Sequence, residues 1–388
     1  MTPGQVFIDF LKLGFLSFGG PAAHFGYFHR HFVEKRQLIE AQDYAELMAL
    51  CQFLPGPASS QMGMAIGYRQ AGMLGSLAAF AGFTLPSALL MLAAGLWLIQ
   101  ADMQGAIGDI LHGLKLLAVA VVADAVAKLY AGCCKDRPRQ ALALTTAIAV
   151  LLWPGLLMQL TMIILAASLG ALMSRPQAPA ERPRTPLLGR LKTLPLAAFL
   201  VLLLVTPWLD EWRSLAVFDA FYRAGALVFG GGHVVLPLLD AQPLIRDGMS
   251  QTTFLAGYSL AQAVPGPMFS LAAYLGTALD GSLLWGLIAL LAIFLPGWLL
   301  LRAILPAGNR LRDIPRLAGA LAWVTAATVG LLMAALFMPV FTSSVAGPTE
   351  MAAVIALWLA LHQARLPIWA AVALAILAGL TLGAIPPG

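Results

Sequence analysis

Two short stretches of the chain carry the same unusual set of groups. Gln52, Pro55, Gly56, Pro57 and Ser60 recur as Gln262, Pro265, Gly266, Pro267 and Ser270, an offset of 210 residues. Both sets lie inside apolar segments. The prolines remove backbone donors and the glycine frees the chain, so a helix must break there. Broken backbone at membrane depth is tolerated only where it is buried in protein or lines a cavity. Pro57 and Pro267 suit the first turn of a new helix, whose free N–H groups present partial positive charge to the break. With Gln and Ser donors beside them, those N–H groups would form a cradle for an anion. A structural kink is the alternative, and two matched copies weaken it.

A second pair of motifs precedes the first. Phe18, Gly19, Gly20 and Pro21 are echoed by Phe229, Gly230, Gly231 and Gly232 at an offset of 211. Glycines at this depth allow close backbone approach to a helix or a ligand. Six residues before each motif stands a cation, Lys12 and Arg223. A charge inside a span is costly and usually faces a cavity or a partner, so the matched sign suggests attraction of an anion; snorkelling is the alternative for Lys12. His24 and His233 follow the glycine motifs and, with Asp124, are candidates for proton coupling. Asp124 and Lys128 also read as a neutralised i,i+4 pair, and Lys115 has no charged counterpart in the second half.

The elements that must hold these groups are membrane helices. Of 388 residues, 60% are hydrophobic and only 11% charged, which excludes an ordinary soluble domain. The net charge of +5 sits in short loops rather than on one face, so nucleic acid is not an expected partner. At about 20 apolar residues per span, candidates are 6–28, 47–68, 72–100, 106–130 and 141–173. The second half offers 194–209, 214–237, 254–277, 280–302, 317–341 and 349–386. The 141–173 run should divide at Trp153-Pro154-Gly155 and the 349–386 run at Arg365 and Pro367. Trp97, Trp208, Trp212 and Trp298 are placed as interfacial aromatics. Cys51, Cys133 and Cys134 give no metal spacing and no disulfide framework, and no cofactor or metal is expected. No signal peptide is visible at Met1–Leu11, and insertion into a plasma or inner membrane fits.

The matched motifs, with Pro86 and Pro296 at the same offset of 210, indicate a tandem duplication. The expected division is a first transporter repeat over 1–174, a basic, proline-rich linker over 175–192, and a second repeat over 193–388. Cations in the linker, in the 133–139 loop and in the 302–316 loop argue that these face the cytoplasm. The fold expected is an all-α polytopic membrane protein of two repeats, inverted, with broken or re-entrant helices and about 10 to 13 membrane segments. Repeats of this kind place a transport site near the midplane.

In this setting the motifs LSFGGPAAHFGYF, LCQFLPGPASSQM and LAQAVPGPMFSLAAYLG resemble the chromate ion transporter family in its long, two-domain form, over nearly the whole chain. The resemblance implies export of chromate across the bacterial inner membrane, with chromate resistance, and sulfate as an analogue. The partners it implies are chromate, sulfate and the lipid bilayer; a homodimer stays open. Chromate is a tetrahedral dianion, which suits helix N-termini, Gln and Ser donors and a Lys/Arg pair. Gly232 in place of Pro21 departs from exact repetition. A sulfate or small organic acid transporter of the same architecture is the first rival. A membrane-embedded enzyme is the second, and no HExxH, GxSxG or Walker motif supports it.

Overall fold

A computed structural model of the chain describes residues 1–18, 20–100, 105–174, 192–208, 212–229, 231–306 and 314–384. The first half holds α1 (Pro3–Leu16), α2 (Gly20–Phe28), α3 (Ala41–Phe53), α4 (Ala58–Gln100), α5 (Gly105–Cys133), α6 (Arg137–Leu152) and α7 (Leu156–Met173). The second holds α8 (Thr193–Val205), α9 (Arg213–Ala226), α10 (Val235–Asp240), α11 (Pro243–Arg246), α12 (Gln251–Ala263) and α13 (Leu271–Asp280). It continues through α14 (Leu283–Ile304), α15 (Pro315–Ala335), α16 (Pro348–His362) and α17 (Ile368–Gly383). The helix starts follow local chemistry. Thr2 and Gln5 form a capping box ahead of Pro3, Asp136 caps α6, and Ser250 caps α12. The 141–173 and 349–386 runs divide where Pro154-Gly155 and Pro367 stand.

The segments 6–28 and 47–68 do not cross the membrane as single spans. α1 runs parallel to the later arm of α4, with Gly82 against Phe7 and Leu11 and Gly14 against Phe83 and Pro86. After the break at Ser17 and Phe18 the chain turns back. Phe28 and Phe32 return to the Phe10 ring at 5.4 and 5.1 Å, and Arg36 reaches Asp9 at 2.6 Å. α3 and the first arm of α4 form a second such hairpin, because Arg69 pairs with Asp43 at 2.9 Å and Gln70 bonds the Leu38 carbonyl. Hydropathy cannot separate one broken crossing from a hairpin whose two arms each run half-way. The contacts separate them.

Gly72, at φ 63°, then reverses α4, whose second arm crosses the membrane. Gly67 and Gly75 face each other across that turn so closely that a Cβ on either would strike the other's carbonyl. α12 and α13 repeat the hairpin, with Tyr274 donating to the Thr253 carbonyl, and Gly281 at φ 71° repeats the reversal into α14.

Five helical elements lie between the first hairpins and α9: the second arm of α4, then α5, α6, α7 and α8, of which α4, α5 and α7 are long and apolar enough to cross a membrane. Five is odd, so the second half is inverted. The ends agree: α7 meets the start of α15 through Gly170 and Gly319, while α17 meets the start of α5 through Gly379 and Asp109. Each half thus packs its last helix on the long helix of the other, as a two-fold exchange requires. Outward faces carry exposed Leu157, Leu172 and Leu194, as lipid contact demands. Trp97, Trp208 and Trp212 are exposed near helix ends, whereas Trp298 is partly buried in the core.

Candidate functional site

The four broken hairpins meet tip to tip. The Gly56 N–H donates to the Val228 carbonyl and the Gly266 N–H donates to the Ser17 carbonyl, both at 2.9 Å. Each Pro-Gly-Pro tip is thereby fastened to the unwound glycine-motif hairpin of the opposite half. Gly56 sits at φ 116° and Gly266 at φ 104°, conformations that other residues avoid. A Cβ at Gly56 would stand 3.1 Å from Gly297 Cα, and one at Gly266 would stand 3.0 Å from Ser87 Oγ. Ser87 and Gly297 follow Pro86 and Pro296, so the exchange includes the proline-bearing crossing helices. Gln61 ties the first tip in place by donating to the Pro55 and Gly297 carbonyls at 2.9 and 3.1 Å.

Between the tips lies a cavity of about 360 Å³. Gln52, Gly56, Pro57, Ala58 and Ser59 line it from the first half, and Gly231, Gly232, Met268 and Phe269 from the second. Pro21, Phe25, Leu54, Cys133 and Thr325 complete the wall. Cys133 ends α5 on the side where α7 also ends, so the cavity extends from the tips toward the linker side. Among the described residues, none of the lining side chains is charged. Ala58, Ser59 and Ser60 form the first helical turn after Pro57, and their N–H groups have no intrahelical acceptor. Behind Ser59, the His24 ring lies 3.2 Å from its hydroxyl and edge-on to Phe83. The cavity therefore offers amide dipoles, one carboxamide and one hydroxyl to a small anion, in a low-dielectric setting where such donors act strongly.

The sequence-predicted residues divide into three groups. Gln52, Gly56, Pro57 and Gly231 line the cavity, and Pro55 and Gly20 stand at the adjoining breaks, Gly20 at φ 76°. Pro265, Gly266, Pro267 and Gln262 build the second tip, but its cradle is filled. Gln262 donates to Met268 Sδ at 2.6 Å and approaches His233, which bonds the Tyr258 hydroxyl at 2.8 Å. Ser60 and Ser270 are buried behind their tips with hydroxyls that find no partner among the described residues. Gly19 and Gly230 lie outside the described residues.

Lys12 and Arg223 are not brought to the cavity, contrary to expectation. Lys12 is on the lipid-facing side of α1, beside exposed Ile8, Phe15 and Leu16. Its long stem can carry the ammonium toward the membrane surface. Arg223 pairs with Asp219 at 3.0 Å, and Asp219 is held in turn by Thr206, so its charge is neutralised where it stands. Asp124 is likewise bound, by Lys128 at 2.6 Å and His362 at 2.7 Å, outside the cavity lining. Sequence reasoning missed Ser59, Cys133, Thr325 and Met268. Laying the two repeats together would have shown Ala58-Ser59 facing Met268-Phe269, a change from small to large next to an otherwise repeated motif.

The chromate transporter family profile matches residues 4–172 and 215–380, one match in each half. A chromate transport protein of Cupriavidus metallidurans is 28% identical over 366 residues, covering 94% of this chain and 89% of its own. One from Pseudomonas aeruginosa is 29% identical over 77% of this chain and 71% of its own. A probable chromate transport protein of Synechococcus elongatus is 29% identical over 84% and 81%. No solved structure matches the chain.

Proposed function

Since the chain belongs to the chromate transporter family, we propose that it exports chromate from the cytoplasm across the bacterial inner membrane by alternating access around the cavity between the tips. The observation that carries this reading is the cavity itself, where a helix N-terminus, Gln52 and Ser59 converge at the meeting point of two inverted halves. Residues 1–174 and 193–388 act as the two repeats, and 175–192 joins them.

The cation-rich linker and loops make the linker side cytoplasmic under the positive-inside rule, so the described state opens inward. Chromate enters past Cys133 and Thr325 and loses water against the amides of residues 58–60. Gln52 and Ser59 take its remaining oxygens, with His24 held 3.2 Å behind the Ser59 hydroxyl. With no full positive charge in the wall, binding is weak enough to be reversed. The membrane potential favours exit of a dianion by about 4.6 kcal/mol per 100 mV, two charges at 2.3 each. The closed side is the second tip, where Met268 occupies the place that Ala58 leaves open in the first. Exchange of the two halves' conformations about the two-fold would open that side and close the other. Sulfate, of the same shape and charge, competes.

Purified protein in proteoliposomes with an imposed potential tests this. Chromate should move outward in response to the potential, sulfate should compete, and Gln52→Ala with Ser59→Ala should remove the flux. Sulfate flux without chromate flux would overturn the substrate. Labelling of Cys133 by a maleimide gives a binding readout without transport, since Cys51 and Cys134 are buried. Sulfate should slow that labelling.

A further inference from the structure

Lys115 is the one cation of α5 that neither the cavity nor an ion pair absorbs among the described residues. Its ammonium donates to the Ser343 carbonyl at 2.9 Å. It also lines a separate cleft of about 430 Å³ with Gly108, Leu111, His112, Ser250 and Thr252, on the side opposite the linker. His112 leans toward Glu350 at 3.9 Å and also feels the Asp109 carboxylate, while Lys115 forms a salt bridge with neither among the described residues.

The two-fold exchange gives this cleft a meaning. Gly170 packs on Gly319 and Trp323 as Gly379 packs on Asp109 and Gly113, so α5 and α15 superpose at an offset of 210. At that offset Lys115 corresponds to Thr325, which lines the central cavity on the linker side. Ser343 corresponds in number to Cys133, the other residue of that mouth. The Lys115–Ser343 contact therefore lies at the mirror image of the open mouth and holds it shut.

We propose that Lys115, with His112 and Ser250, forms a second site for a small tetrahedral oxyanion on the far side, where the transported anion is received once that mouth opens. This rests on the export reading above. The ammonium exchanges one neutral carbonyl for a dianion, which strengthens its hydrogen bond, and the cleft supplies a hydroxyl and an imidazole for the remaining oxygens. A cation here and none in the central cavity would draw the anion outward.

The test places a thiol in the cleft by Thr252→Cys and follows its modification by a membrane-impermeant maleimide, peptide by peptide, with inorganic sulfate as the probe. Sulfate should protect position 252, and Lys115→Gln should weaken that protection about tenfold or more while Lys115→Arg retains it. Native Cys133 in the same molecule reports the central cavity and the integrity of the fold. Protection at Cys133 but none at position 252, or protection at 252 that ignores Lys115→Gln, overturns the far-side site. Loss of protection at Cys133 together with absent flux overturns the central reading instead.

Discussion

The two Pro-Gly-Pro tips share a backbone and differ in what stands next to it. Both glycines hold a left-handed φ, and both donate a 2.9 Å hydrogen bond to the opposite half. Yet Ala58 and Ser59 follow one tip, and Met268 and Phe269 follow the other. The first tip opens on a cavity. The second is plugged by Met268, whose methyl group reaches Gly232 and whose sulfur takes the Gln262 amide. The two halves share the residues that dictate backbone geometry and differ in those that line the cavity. Under the proposed mechanism the shared backbone makes the two sides interchangeable, while the differing side chains set which side is open.

The comparison can be broken most severely at its shared part. Gly56→Ala forces a Cβ against the Gly297 backbone at a φ that costs an ordinary residue about 1–3 kcal/mol. Chromate flux should be lost and thermal stability in detergent should fall. Gly266→Ala meets the Ser87 side chain at 3.0 Å and the Phe83 carbonyl at 3.3 Å, a looser backbone contact than at Gly56, so stability should fall less. Equal losses would mean the tips are equivalent in tightness as well as in geometry.

Side-chain removal should next expose the difference. Ser59→Ala and Gln52→Ala delete cavity donors, and each should cut chromate kcat/KM about tenfold with little change in stability. Gln262→Ala should do less, because that amide is already engaged by Met268 and His233. A larger effect at Gln262 would place the rate-limiting step in the other conformation. Met268→Ala makes the second tip resemble the first. It should cost about 2 kcal/mol of stability and raise uncoupled anion leak, read as chromate efflux at zero potential.

The smallest effects should come from the matched cations. Lys12→Gln, on the lipid face, should leave flux within about twofold of the unaltered chain. Arg223→Gln strands the Asp219 carboxylate and should lower stability by about 1–3 kcal/mol while sparing KM. A rise in KM in either variant would restore the pair to the anion path.

Much of this architecture was legible because glycine and proline act locally. The duplicated motifs, the helix breaks and the splits at Pro154 and Pro367 need only residue type and position, and hydropathy supplied the membrane. The site was half legible. Gln52, Gly56, Pro57 and Gly231 line the cavity, whereas the matched cations Lys12 and Arg223 stand away from it. A charge in an apolar segment reads alike whether it faces a cavity, a carboxylate or lipid; α1 turns Lys12 to lipid, and α9 sets Asp219 one turn from Arg223.

By itself, then, the sequence determined where the helices break, that the breaks occur twice, and that the solvent is lipid. These follow from backbone sterics and transfer free energy, which depend on a few neighbouring residues. Only the tertiary structure decided that the broken segments turn back instead of crossing and that each tip is fastened to the other half. Those outcomes rest on contacts between residues far apart in the chain, such as Gly56 with Val228 and Gly266 with Ser17. No local pattern encodes such pairings, because they arise when two complete halves pack against each other.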